Sequence, residues 1–231
     1  MLKKLATIAV MLFMSLVSHG DTTEVRDLLL MEAHAYRLTS DVSILALQEG
    51  AKRYHRRLDN TINSGDQLAV RLQPRWPAVS GQWQKSTEFV NAQREIAATN
   101  SDVNFTNDLD AVQKQLYTKI DAAKAELAIE EISGADYAAN SALIALEKMV
   151  AGYMFFNINV FGGLAVTDLQ MKQNAELFRD AIARMEGQDA LKKQIQGKWS
   201  FIEKTLLNYN QQSATFIVMK TTDNIRELLS V

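Results

Sequence analysis

Proline is almost absent from this chain. The two prolines, Pro74 and Pro77, lie three residues apart and leave long proline-free tracts on both sides. A proline inside a helix costs about 3 kcal/mol, so tracts without one permit long helices. The tracts are rich in Ala, Leu, Gln, Glu and Lys, and no segment shows sustained polar–apolar alternation with enrichment in β-branched residues. The sequence therefore predicts an all-α fold of about eight helices.

Local signals indicate where some of these helices begin and end. The polar run Asn63–Asp66 has the composition of a turn or a helix end. Asn107 with Asp110 suits a helix start, and Thr167 with Gln170 has the spacing of a capping box. The apolar stripe predicted for the helix after Thr167 consists of Leu169, Leu177, Ala181 and Met185.

The segment 149–166 runs for eighteen residues without a charge. Its length and apolarity suit either a membrane span or a helix buried on nearly all sides in a soluble protein. If the two halves of the chain are repeats displaced by 116 residues, the counterpart of this segment is 33–50, which contains Arg37, Asp41 and Glu49 and could not span a bilayer. Equivalent elements of a repeat should occupy equivalent places, so a buried core helix is favoured for 149–166.

The first twenty residues have the layout of a secretory signal peptide. Lys3 and Lys4 precede an apolar run, and small residues end at Gly20. We expect cleavage after Gly20 and export to the periplasm of a Gram-negative bacterium; an uncleaved anchor is the alternative. Removing the two lysines leaves 23 basic and 27 acidic residues, a net charge of −4. That balance predicts no nucleic-acid partner. The absence of cysteine excludes disulfides and thiol nucleophiles.

Two related halves are predicted, residues 21–132 and 133–231. The apolar-x-Gly-x-Trp pattern that ends at Trp83 recurs at Trp199, a displacement of 116 residues. The register fails between matching islands, so insertions are needed, and chance similarity is the alternative. Both tryptophans are expected to be core residues, and a duplication would superpose them.

The two halves resemble periplasmic helical sensor domains. Tyr36-Arg37-Leu38, preceded by Met31-Glu32-Ala33, is similar to the start of those domains in nitrate/nitrite sensor kinases. Lys148-Met149-Val150-Ala151 resembles an Arg-Met-Leu-Ser stretch in type IV pilus methyl-accepting transducers (PilJ-type). The resemblance implies antiparallel four-helix bundles and an anion-binding arginine in the first helix. That arginine aligns with Glu32 in the first half and Lys148 in the second.

The sequence contains no catalytic or metal-binding constellation, so no enzyme activity and no cofactor are predicted. Lys148, inside an apolar helix, is the leading ligand candidate, and a salt bridge to a carboxylate is its alternative role. The predicted ligand-binding residues are Lys148, Tyr153, Arg37, Tyr36 and Asn159. The basic run Lys52–Arg57 is expected to be mainly a solvated face, with an anion contact as the other interpretation.

These features predict a periplasmic, non-enzymatic, sensor-like module. It would bind a small ligand, with an anion as first candidate, and signal through a membrane-bound sensor or envelope partner; a homodimer is allowed. The competing hypothesis is a structural or assembly factor of the cell envelope that acts through helical protein–protein interfaces.

Overall fold

The computed structural model describes residues 2–99, 102–127, 135–159, 167–211 and 213–230, with side chains from residue 23 onwards except at 135 and 136. These residues form nine α-helices and no strand. The helices are α1 (Leu2–Leu47), α2 (Lys52–Leu72), α3 (Pro77–Ala92), α4 (Arg94–Thr99), α5 (Val103–Ala125), α6 (Ala135–Ile158), α7 (Asp168–Arg184), α8 (Asp189–Leu207) and α9 (Thr215–Leu229).

Eight of these helices form two closed rings. In the first bundle α1 contacts α2, α2 contacts α3, α3 contacts α5, and α5 returns to α1. In the second bundle α6, α7, α8 and α9 contact one another in the same cyclic order. Consecutive helices joined by short connections pack antiparallel, as in up-and-down bundles. The predicted all-α, antiparallel architecture with about eight helices is confirmed.

The first helix of each ring joins the two bundles, since α1 and α6 form the most extensive helix–helix contact in the described chain. The segment Tyr137–Ile158 of α6 is long and apolar enough to cross a membrane, yet 72% of its most apolar window is buried inside the protein. It is covered by α1, α7 and α9. This burial is what a core helix requires. α6 ends at Ile158, and residues 160–166 of the uncharged apolar segment lie outside the described residues.

Two predicted helix boundaries are wrong. α2 runs through Asn63–Asp66 without a break. A Cβ atom at Gly65 would lie 2.0 Å from the Trp83 ring, so the glycine allows close packing of α2 on α3 rather than a turn. Asp66 accepts a hydrogen bond from Trp83 Nε1 at 2.7 Å. α5 begins at Val103, capped by Asp102, whose carboxylate accepts the backbone N–H of Phe105 at 2.8 Å; it does not begin near Asn107.

The capping box at the start of α7 is confirmed, because Thr167 and Gln170 make both reciprocal hydrogen bonds. The prediction of the apolar stripe that follows is wrong in part. Leu169 is 65% exposed and Leu177 is 54% exposed, whereas Ala181 and Met185 are buried. α7 contacts α6 and α8, and its buried residues are Met171, Ala175, Phe178, Ala181 and Ile182. Apolar spacing alone therefore overstated its buried face.

Both tryptophans of the predicted repeat are buried, Trp83 on α3 and Trp199 on α8. Trp199 packs on Phe178 of α7 with the ring centroids 4.5 Å apart. The boundary predicted between residues 132 and 133 lies outside the described residues, and the duplication stays a prediction. The predicted signal peptide also stays one, because the structure describes no side chains there.

Candidate functional site

A cavity of about 780 Å³ opens where the first bundle meets α9 of the second, and we call it the arginine cavity. Its walls come from α1, α2 and α9. Five arginines and two carboxylates line it, so the lining carries a net charge of +3. A cleft lined mainly by one sign of charge attracts small ions of the other sign. The charged lining residues are Arg37, Arg53, Arg56, Arg57, Arg226, Asp223 and Glu227.

Arg57 connects the two bundles at this cavity. Its Nε donates to Oδ1 of Asp41 on α1 at 2.5 Å. Its Nη1 and Nη2 donate to the two carboxylate oxygens of Asp223 on α9, at 2.6 and 2.8 Å. Burial by itself would lower the pKa of Arg57, but Asp41 and Asp223 outweigh burial and hold that pKa above its ordinary value. One guanidinium therefore links three helices.

Arg226 is buried and fully paired. Its Nε and Nη2 donate to the two carboxylate oxygens of Glu147 on α6 at 2.5 Å each, and its Nη1 donates to Asp223 at 2.6 Å. Arg226 is 5% exposed and Glu147 is 1% exposed. Burial opposes the charged form of Arg226, yet the Glu147 carboxylate keeps the pKa of this guanidinium well above its usual value.

Arg37 lies beside these pairs without a comparable partner. Its Nε is buried and makes no hydrogen bond to the described part of the chain. The nearest carboxylate oxygen is Oδ2 of Asp41 at 3.7 Å. That oxygen already accepts a hydrogen bond from Thr61 at 2.6 Å, and the other oxygen of Asp41 is bound by Arg57. Burial, together with the neighbouring Arg226, lowers the pKa of Arg37. Its positive charge is thus incompletely compensated.

The sequence indicated only part of this cavity. Arg37 was a candidate, and an anion contact was the second interpretation of Lys52–Arg57. The solvated-face interpretation holds for Arg53 and Arg56, which are exposed, but is wrong for Arg57, whose side chain is 17% exposed. Asp223 was missed because it lies 166 residues from Arg57. The only local signal was the spacing of Asp223 and Arg226, three apart on one helix.

Lys148 lies at a different cavity. This second cavity, of about 910 Å³, is bordered by α1, α5, α6, α7 and α8, and we call it the lysine cavity. Lys148 Nζ lies 2.8 Å from Oε1 of Glu32, and Lys124 Nζ lies 2.6 Å from Oε2 of the same carboxylate. Burial would raise the pKa of Glu32, but Lys148 and Lys124 hold it below its ordinary value. Lys148 therefore has a carboxylate partner in the first bundle, the alternative role considered from the sequence.

Of the other four predicted ligand residues, one lies with Lys148, Arg37 lies at the arginine cavity, and two lie at neither cavity. Lys148 Nζ is 5.3 Å from the centroid of the Tyr36 ring. Tyr153 is fully buried, and its hydroxyl accepts the backbone N–H of Ala214 at 2.6 Å. Asn159 follows the end of α6 and is 9% exposed. Neither Tyr153 nor Asn159 is among the residues that line the two cavities. The predicted set is therefore split between separate places.

Among the described residues, no group of three or more His, Asp or Glu side chains could hold a metal ion. Comparison with protein-family models, with curated proteins and with solved structures finds no match for this chain. The arginine cavity, with its incompletely compensated guanidinium, is the strongest candidate site for a small ligand.

Proposed function

We propose that this protein is a non-enzymatic, sensor-like module of the periplasm. It binds a small, multiply charged anion in the arginine cavity and reports occupancy to a membrane-bound partner. The observation that carries this proposal is the buried Nε of Arg37, which makes no hydrogen bond to the described chain. A buried charged donor without an acceptor costs free energy, and an anion supplies that acceptor. The N-terminal pattern of the sequence supports export.

The chemistry of the lining favours carboxylates and phosphates. A guanidinium presents a planar fork of donors that matches two oxygens of such groups. Arg37 offers a buried donor, while Arg53 and Arg56 are exposed at the cavity. An anion with two or more charged groups can engage the buried and the exposed arginines together. Citrate and pyrophosphate are suitable probes of this class.

Binding at this place can change the contact between the bundles. The bidentate pair of Arg57 and Asp223 runs from α2 of the first bundle to α9 of the second. An anion in the cavity competes with Asp223 for the donors of Arg57 and so weakens the ion pair between Arg57 and Asp223. A ligand shifts a conformational equilibrium by its difference in affinity for the two states. The junction between the bundles is therefore the element through which occupancy reaches a partner.

Thermal unfolding of the mature protein with citrate or pyrophosphate tests the proposal. A ligand at about 100 times its Kd stabilises the native state by about 2.7 kcal/mol. For a chain of this size that raises Tm by about 5–10 °C. Each of the single variants Arg37→Gln and Arg56→Gln should remove most of the anion-induced rise in Tm. Arg26→Gln is the matched control, because Arg26 is exposed on the same helix as Arg37 and does not line the cavity.

A structural or assembly factor is the second candidate function. It is favoured by large apolar side chains on the second bundle that face solvent, Leu169 at 65% exposed and Phe201 at 66%. Exposed apolar side chains mark protein–protein contacts when they cluster. If no anion raises Tm while Phe201→Ser abolishes crosslinking to envelope proteins in cells, the assembly function replaces the sensor function.

A further inference from the structure

The lysine cavity differs from the arginine cavity in the nature of its walls. Apolar side chains from α1, α6, α7 and the segment after α5 face it, among them Leu29, Leu127, Ile144 and Leu177. Ligand pockets of 300–1,000 Å³ lined mostly by apolar side chains with a few convergent polar groups are typical of small-molecule sites. At about 910 Å³ the lysine cavity has the size and the lining of such a site.

Part of this apolar wall is left uncovered by folding. Leu177 is 54% exposed and Tyr137 is 38% exposed, and both line the cavity. Water in contact with these groups is displaced favourably by any apolar ligand that covers them. A small, fully polar anion would leave the same surface wet. The wall therefore selects a ligand that carries an aliphatic part.

The charged residues define the other end of the ligand. Lys124 and Lys148 share one carboxylate, Glu32, so this cluster has one positive charge in excess. The Glu32 side chain is 3% exposed, whereas the lysine side chains are 34% and 30% exposed. The carboxylate is thus covered while both ammonium groups can reach a ligand. Over the whole lining, four cations face two carboxylates, a net charge of +2.

We propose that the lysine cavity binds a single-chain anionic amphiphile of the fatty-acid type. Its carboxylate head contacts the partly exposed ammonium groups of Lys124 and Lys148, which also hold Glu32, and its aliphatic chain covers Leu177 and Tyr137. This site is separate from the arginine cavity in position and in ligand chemistry. The proposal goes beyond the sensor function and does not depend on the binding of a small anion by Arg37.

Calorimetric titration of the mature protein with decanoate, below its micelle concentration, tests the proposal. Leu177→Gln should weaken decanoate binding about tenfold, since loss of apolar contact in a pocket has effects of that order. Leu169→Gln is the matched control: Leu169 is a similarly exposed leucine on the same helix and does not line the cavity. This control should bind decanoate as the parent does.

The head group is tested with decanol, which has the same chain length without the charge. The parent should bind decanoate more tightly than decanol, and Lys148→Met should remove most of that preference. Arg56→Gln should not change decanoate binding, which separates this site from the arginine cavity. The proposal is overturned if the parent does not bind decanoate, if Leu177→Gln and Leu169→Gln bind it equally, or if decanol binds as tightly as decanoate.

Discussion

The two cavities use opposite arrangements of the same kind of charge. At the lysine cavity one buried carboxylate, Glu32, is held by two partly exposed ammonium groups. At the arginine cavity the Arg226 guanidinium is itself buried and is matched bidentately by Glu147. Lysine is a flexible point charge that can return to water, whereas arginine is a rigid fork with fixed partners. From this difference we expect that burial of the cation, rather than the number of ion pairs, decides how much stability depends on each cluster.

The comparison is tested most strongly at Arg226. We expect Arg226→Met to cost about 3–5 kcal/mol of unfolding free energy, because Glu147 would remain buried and uncompensated. Urea denaturation of the mature protein measures this loss. Replacing both partners, Arg226→Met with Glu147→Leu, should recover most of it, since no buried charge is left at that pair. A single-variant loss below about 1 kcal/mol would show that the pair is much more hydrated than its burial indicates.

At the lysine cavity we expect a smaller loss. Glu32→Gln should cost about 1–2 kcal/mol, the range of hydrogen bonds to charged groups whose partners can regain water. Lys124 and Lys148 are each about one-third exposed, so their ammonium groups rehydrate when the carboxylate is removed. The same urea denaturation gives the comparison. A loss as large as that of Arg226→Met would remove the distinction between the two clusters.

The stability difference between the parent and Glu32→Gln should depend on pH in a defined direction. The pKa of Glu32 is lowered in the folded protein, so its contribution is complete above the unfolded pKa of about 4.3 and is lost as the pH falls through the folded value. Glu32→Gln should therefore narrow its difference from the parent as the pH falls below about 4.3. A difference that grows in acid would contradict the lowered pKa.

Lys148→Met should have a still smaller effect on stability, within about 1 kcal/mol of the parent. Lys124 continues to hold Glu32 at 2.6 Å, and the methionine can occupy the apolar surroundings of the lysine stem. Lys124→Met is the matched control because it leaves Lys148 in the same role. If either single variant destabilised more than Glu32→Gln, the two lysines would not substitute for each other.

The smallest expected effect is a change in pH dependence at His34. Burial lowers the pKa of His34, which lies near Arg37, Glu147 and Arg226. As the pH falls, His34 takes up a proton near pH 6.5 in the unfolded chain but only at a lower pH in the folded chain. The unfolding free energy should therefore fall as the pH drops below about 6.5. His34→Asn should flatten the unfolding free energy measured between pH 7 and pH 5 relative to the parent. An unchanged slope would show that His34 titrates alike in both states.

Many features of the fold were predictable from short-range patterns. Scarcity of proline and the spacing of apolar residues predicted the helices, and Thr167 with Gln170 predicted a cap that both partners complete. Composition failed where a residue type serves packing instead of a turn. Gly65 sits in mid-helix because the Trp83 ring of another helix leaves no room for a Cβ atom. No local pattern reveals that neighbour.

The sequence by itself determined the helical class and the presence of Arg37 and Lys148 as charges within helices. Tertiary structure decided what those charges meet. Lys148 found Glu32, 116 residues earlier, while Arg37 was left beside arginines whose carboxylates are already taken. Helical periodicity depends on residues three and four apart and can be read along the chain. Ion pairing between helices depends on how whole bundles pack, and that packing is determined jointly by residues that lie far apart in the sequence.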